Sequence, residues 1–267
     1  MPDNNIAFSG SVPENYERYL GPYFFEPYAR EVVTRIHGEP DQVLEIAAGT
    51  GRVTAHLRQA IPSNAQLTAT DVNPDMIAIA KGLVPSDHIA WQTANAQDLP
   101  FGDEHFDLVV CQFGLMFVPD KSKALSEAFR VLKPAGQFLL STWDRQEYNR
   151  ATLIAEQVVH RHFPSDPPLF FRVPFSLHDP DQLRSLLETA GFKNIQIDNV
   201  SLPGVSASAQ DAATGMIEGS PMYGAIQQRN VALIPVIKGE LVAALSSEFG
   251  EAPMTSPQRA WLISAEK

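Results

Sequence analysis

Val43-Leu44-Glu45-Ile46-Ala47-Ala48-Gly49-Thr50-Gly51-Arg52-Val53-Thr54 reads as a buried strand that runs into a glycine turn and then into a helix. Gly49 and Gly51 let the backbone come close to a ligand, and a glycine turn at a helix N-terminus presents free N–H groups. Glu45, at the strand end, offers a carboxylate suited to a cationic group. Two glycines alone are a weak pattern, and a purely structural strand-to-helix turn would look the same.

Outward from this stretch, short apolar runs alternate with helical patterns. The runs are Gln42 to Ala47, Gln66 to Thr70, Ile89 to Thr93, Phe106 to Gln112 and Gln137 to Trp143, several of them apolar on both faces. Parallel strands buried on both sides have this composition. Between them lie Val53 to Gln59, Pro74 to Gly82 behind an Asp71/Asn73 start signal, and Lys121 to Leu132, stopped by Lys133-Pro134-Ala135-Gly136. A further helix, Asp179 to Ala190, stops at Gly191; strands over Phe192 to Val200 and Ala260 to Ala265 follow. The expectation is an α/β, Rossmann-like three-layer sandwich of about seven mostly parallel strands, the last antiparallel, with helical insertions after strands 5 and 6.

That pattern divides one domain, 1–267, into an N-terminal helical cover (1–40), a ligand-binding core (41–143) and two insertions (144–178 and 202–257). The second insertion has helical patches at Ala209 to Glu218 and Val231 to Phe249. Both follow the carboxyl end of a predicted strand, where open α/β sheets bind ligands, so they are read as lids.

Net charge is −11, which disfavours a polyanionic partner such as nucleic acid and favours a small-molecule one. The single cysteine, Cys111, cannot form an internal disulfide or build a cysteine-based zinc site. The N-terminus lacks the basic and apolar regions of a signal peptide, and no apolar run is read as reaching membrane-spanning length, so the expected location is the cytoplasm, off the membrane. The sequence is compatible with a homodimer without specifying one.

Asp71 follows Gly51 by twenty residues, at the end of the second strand. An acid at this spacing can take both hydroxyls of a ribose; as a helix cap, Asn73 is better placed. Met76 and Ile77 would lie near an adenine. The third glycine position of the dinucleotide fingerprint holds Thr54, which weakens a nicotinamide or flavin reading. Three further blocks complete the set: Thr93-Ala94-Asn95-Ala96-Gln97-Asp98-Leu99-Pro100-Phe101; the strand Phe106 to Gln112 with its loop Phe113-Gly114-Leu115-Met116-Phe117-Val118-Pro119-Asp120; and Val131 to Trp143, a helix end, a proline-glycine turn and the fifth strand.

In this order and spacing, residues 43 to 143 resemble the class I S-adenosylmethionine-dependent methyltransferases, in particular the small-molecule branch labelled type 11. The resemblance implies S-adenosyl-L-methionine as cofactor, with Glu45, Ala47, Gly49, Thr50, Gly51, Asp71, Val72, Met76, Asn95, Ala96, Gln112 and Phe113 binding it. Asn95 stands where the family carries an acid that accepts from the adenine amino group; an asparagine carbonyl can accept the same bond. The [DN]-P-P-[YFW] motif of base N-methylation is absent from the loop after Phe106 to Gln112.

The implied reaction is transfer of a methyl group to a small, partly hydrophobic acceptor, with desolvation and alignment carrying much of the catalysis and no metal. The competing readings are an NAD(P)-dependent oxidoreductase and a non-catalytic module that binds the same cofactor. Tyr19, Tyr23 and Phe24, in an aromatic N-terminal segment, are candidate covers of cofactor or substrate; core packing would explain them equally well. His160, His162 and His178 could each act as a base, although surface histidine is the simpler reading.

Overall fold

The computed structural model describes residues 10–267. They form two compact units, one holding Tyr28–Asp144, Pro174–Val200 and Arg259–Lys267, the other holding the segment up to Pro27, Arg145–Val173 and Ser201–Gln258.

The first unit carries the sheet. Its strands are β1 (Gln42–Ile46), β2 (Gln66–Asp71), β3 (Ile89–Thr93), β4 (Phe106–Gln112) and β5 (Leu132–Trp143), joined by β6 (Lys193–Ser206) and β7 (Met254–Glu266), both of which continue into the other unit. The order is β3-β2-β1-β4-β5-β7-β6; β1 to β5 pair in parallel and β7 runs antiparallel to β5. Chain order therefore reverses between β1 and β4, the switch point at which such sheets bind ligands. Val43, Leu67, Val110 and Leu139 share one buried cluster with Val53 and Leu57, whose helix lies on that face.

The helices here, numbered in chain order after the short α1 (Val12–Asn15), are α2 (Glu26–Val33), α3 (Arg52–Ala60), α4 (Pro74–Leu83), α5 (Lys121–Val131) and, after α6 of the other unit, α7 (Pro180–Ala190). Their starts follow from short polar caps: Asn73 accepts from the Asp75 N–H at 2.9 Å, Asp120 from Lys123 at 2.9 Å and Asp179 from Asp181 at 2.9 Å. Gly191 ends α7 in the left-handed conformation, φ 107°.

Three predicted strand boundaries need correction. β5 begins at Leu132, not Gln137: the Lys133–Gly136 turn stops α5 as expected but is carried inside the strand, because β4 advances from Phe106 to Leu108 while β5 advances from Leu132 to Gln137. β6 runs to Ser206 and β7 starts at Met254, so the helical excursion between them is shorter than 202–257. Pro203, Gly204 and Pro257 read as breakers in sequence. In the strand, Gly204 instead admits a close neighbour, since a Cβ there would lie 1.8 Å from Gln258 Nε2.

The other unit is helical: a π-helix over Tyr16–Phe25, α6 (Arg150–His162), α8 (Ala209–Glu218), α9 (Met222–Asn230) and α10 (Ile234–Phe249). The π-helix holds Pro22, which has no amide to donate, and the Glu26 N–H reaches back to the Gly21 carbonyl. α8 lies close against it: a Cβ on Gly215 would be 2.7 Å from Leu20 Cδ2. α9, the turn Val231–Leu233 and α10 join into a 28-residue run, Met222–Phe249, long and apolar enough by length and composition to cross a membrane. The run corrects the expectation that none reaches that length. In this unit its Ile234, Ile237, Leu241 and Leu245 are buried, and Lys238 and Glu248 pair with Glu218 and Arg150.

Candidate functional site

At the switch point, the chain leaves β1 through Ala47 (φ 57°), Gly49 (φ 56°) and Gly51 (φ 87°), three left-handed residues in five positions. The turn is pinned by Ala48 N–H to the Thr70 carbonyl at 2.9 Å and Gly51 N–H to the Ala48 carbonyl at 3.0 Å. The two glycines differ. A Cβ on Gly49 would meet nothing within 4 Å, so this glycine borders open space, whereas on Gly51 it would meet Ala80, Trp91 and Val84 at 3.1 to 3.3 Å. Gly49 thus leaves its backbone beside open space, and Gly51 serves helix start and packing.

The register sets the polar groups of the site on one face of the sheet. Glu45 pairs with Ala69 on β2 and Val110 on β4, and Val110 with Leu139 on β5. Residues two further along each strand lie on the same face, which puts Asp71 and Gln112 one step beyond Glu45 on that face, at the carboxyl ends. Glu45 is 2% exposed, and its Oε2 accepts from the Thr54 hydroxyl at 2.5 Å. Burial pushes its carboxyl up to about 8; the Thr54 hydrogen bond works against that, and the nearby Asp71 adds to it. Thr54 thus finds its reason in the carboxylate it serves.

Asp71 holds the turn directly: Oδ2 accepts from Gly49 N–H and Oδ1 from Asn73 N–H, both at 2.8 Å. Its carboxyl is also raised by burial, against the N–H groups of Asn73, Gly49 and Val72. With three N–H donors on its two oxygens, the carboxylate keeps acceptor capacity for a further hydroxyl donor. Val72 is 69% exposed, whereas Met76 and Ile77 are buried.

Asn95 faces water and folds its own loop: Oδ1 accepts from Gln97 N–H at 2.9 Å, and Asp98 N–H donates to its carbonyl at 2.9 Å. The loop is clamped from α5 by a residue the sequence reading missed. Arg130 donates to the Leu99 and Phe101 carbonyls at 3.0 and 2.7 Å and to Asp103 and Glu127, and Glu127 in turn accepts from Leu99 N–H at 2.8 Å. An arginine in the last turn of a helix looks in sequence like charge complementing the dipole.

Gly114 was also passed over, as one residue of an apolar loop. A Cβ there would lie 2.4 Å from Ala47 Cβ and 3.1 Å from Cys111 Sγ, so the loop after β4 and the turn after β1 can be this close only with glycine. Cys111 is buried and pushed up to about 12 by that burial, which leaves it an inert thiol. Phe113, at φ 51°, stacks on Trp143 with centroids 4.0 Å apart, and Tyr28 meets both rings edge-on at 5.4 and 5.3 Å.

Glu45, Ala47, Gly49, Thr50, Gly51, Asp71, Val72, Met76, Asn95, Ala96, Gln112 and Phe113 all fall in the sheet unit; Tyr19, Tyr23 and Phe24 belong to the helical one. There, Tyr23 is buried with its hydroxyl 2.5 Å from Ser256 Oγ, and the Arg18 guanidinium lies over the Tyr19 ring. The histidines are engaged: His160 with the Pro168 carbonyl, His162 with Glu240, and His178 Nδ1 with the Phe175 carbonyl.

A buried carboxyl, Glu45, and a half-buried one, Asp71, beside a glycine turn bordering open space fit a cofactor that carries a cation and hydroxyls. The comparisons agree. A family model described as a methyltransferase domain matches residues 44–140. The ubiquinone/menaquinone biosynthesis C-methyltransferase UbiE of Shewanella halifaxensis is 30% identical over 176 residues, covering 60% of this chain and 69% of that one. UbiE of Psychromonas ingrahamii is 40% identical over 105 residues, 37% and 41% of the two chains. Among solved structures, Haemonchus contortus phosphoethanolamine N-methyltransferase 2 in complex with S-adenosyl-L-methionine has TM-score 0.62 at 14% identity, covering 99% of this chain and 58% of that one.

The chain belongs to the class I S-adenosylmethionine-dependent methyltransferases, in their type 11 branch. It is an enzyme that takes its methyl group from S-adenosyl-L-methionine.

Proposed function

We propose that the enzyme methylates a small, partly apolar aromatic acceptor at a ring carbon, in the cytoplasm. The observation that carries the site is the shared face of Asp71, Glu45 and Gln112 at the carboxyl ends of β2, β1 and β4. In this reading, Asp71 takes the ribose hydroxyls, Glu45 the ammonium, the Gly49 backbone the carboxylate side, Met76 a face of the adenine, and the backbone at Gln112 the end that carries the methyl.

When bound, the cofactor supplies an activated sulfonium methyl whose transfer leaves S-adenosylhomocysteine. The protein's part is alignment and exclusion of water, with the reacting atoms held roughly 3 to 3.5 Å apart. The acceptor class is supported by the named reaction of the UbiE relatives and by the Phe113, Trp143 and Tyr28 rings at the ends of β4 and β5. A net charge of −11 supports a small acceptor over nucleic acid.

The acceptor class is tested by incubating the enzyme with methyl-labelled cofactor and a panel of hydroxylated aromatics, amines and thiols. Label carbon-bound to an aromatic ring supports the reading; transfer only to nitrogen or sulfur replaces it. The cofactor residues are tested by Asp71→Ala and Gly49→Val: unchanged cofactor affinity in both would remove the assignment.

A further inference from the structure

Glu45 is the most deeply buried carboxylate of the site, and it takes part in no ion pair among the described residues. The groups that face it are Thr54 from α3, whose hydroxyl donates to it; Asp71 from β2, a second acid; and Cys111 from β4, whose thiol stays protonated. One hydroxyl, one acid and one thiol supply no positive charge. A carboxylate sealed from water without a cation is costly, and the group instead keeps its proton.

We propose that Glu45 is the neutral acid in the cofactor-free enzyme and releases its proton to solvent as the cofactor's ammonium arrives, so that cofactor binding near neutral pH is proton-linked. The proposal rests on the assignment of Glu45 to the ammonium. The bond broken is the acid O–H; what replaces it is an ammonium–carboxylate pair, with the Thr54 hydrogen bond kept. Such a site admits the cation and the charge together, and discriminates against a ligand without the ammonium.

The test is calorimetric titration of the full chain with S-adenosylhomocysteine at pH 6.5, where even a peptide's α-ammonium, of pKa about 7.7–8.0, is already protonated and the amino-acid ammonium of the ligand more so. It is repeated in phosphate, PIPES and Tris, whose ionisation enthalpies differ. The slope of observed enthalpy against buffer ionisation enthalpy counts protons and is expected to show release of close to one, falling near zero in Glu45→Gln with weaker binding retained. A zero slope in the wild type overturns the proposal while leaving the cofactor site standing; absence of binding overturns the site itself. Release that persists in Glu45→Gln but vanishes in Asp71→Asn assigns the proton to Asp71 and contradicts the proposal. Should Glu45→Gln fail to fold, the wild-type infrared difference spectrum decides: the proposal requires loss of a carboxylic-acid C=O band on binding, and its absence refutes it.

Discussion

Thr54 donates its hydroxyl to Glu45 at 2.5 Å, nine residues back along the chain. The position at which a dinucleotide site would have its third glycine is therefore occupied by a side chain that donates to the buried carboxyl of Glu45. Thr54→Val keeps the shape and removes the donor, leaving a buried carboxyl short of a partner. A loss of about 1–3 kcal/mol in unfolding free energy is expected, read by urea denaturation, with weaker cofactor binding. Stability and affinity both at the wild-type level would show that the contact is incidental.

Gly114→Ala tests the approach of the two loops. Its Cβ would collide with that of Ala47 at 2.4 Å, so the β1 turn must shift. Cofactor affinity is expected to fall at least tenfold, roughly 1.4 kcal/mol, in a protein that still folds. Gly49→Ala is the comparison: its Cβ meets open space, and only the left-handed backbone resists, at about 1 kcal/mol.

Much of this geometry was legible because it is local. A buried run ending in Glu45, two glycines and a helix start define a βα unit whatever surrounds them, and Asn73, rather than Asp71 two residues before it, is legible as the cap of α4. What escaped was set by partners distant in sequence. Gly114 matters only because Ala47 is opposite it, Arg130 only because the loop from Leu99 to Asp103 folds onto α5, and Pro203 and Gly204 sit in a strand because Gln258 packs on the glycine. The π-helix around Gly21-Pro22 and the joining of α9 to α10 likewise have no counterpart in a 3.6-residue periodicity.

Arg130 gives a prediction about affinity without contact. Lysine retains the charge but cannot form the fork that holds two carbonyls and two carboxylates. Arg130→Lys should loosen the loop that carries Asn95 and Ala96 and raise the cofactor Kd several-fold, with amide exchange speeding up over Leu99–Asp103. Protection there equal to the wild type would exclude the clamp.

The same cluster has a pH signature. Glu127 is held below the usual carboxylate range, first by the Arg130 hydrogen bond and against some burial. A depressed carboxylate contributes stability that is present above its unfolded pKa and lost as pH falls through the folded one. Glu127→Gln lacks this titrating contribution, so from a lower stability at neutral pH it should lose less than the wild type as pH falls below about 4.5, and equal slopes would contradict the clamp.

Glu45 has the opposite sign. Its folded pKa, about 8, lies above the unfolded value of 4.5, so its contribution is full below about 4.5 and is lost as pH rises through 8. The cofactor-free enzyme should lose thermal stability between pH 6 and 9, Glu45→Gln should lose less, and saturating cofactor should flatten the wild-type slope. Equal slopes in all three would remove Glu45 as the cause.

The most direct measurement is parallel calorimetric titration of the purified chain with S-adenosylmethionine, S-adenosylhomocysteine and NADH, in the wild type and in Asp71→Ala. The account predicts binding of the first two, no binding of NADH, and a large loss of affinity in the variant; NADH binding, or cofactor binding that ignores Asp71, would contradict it.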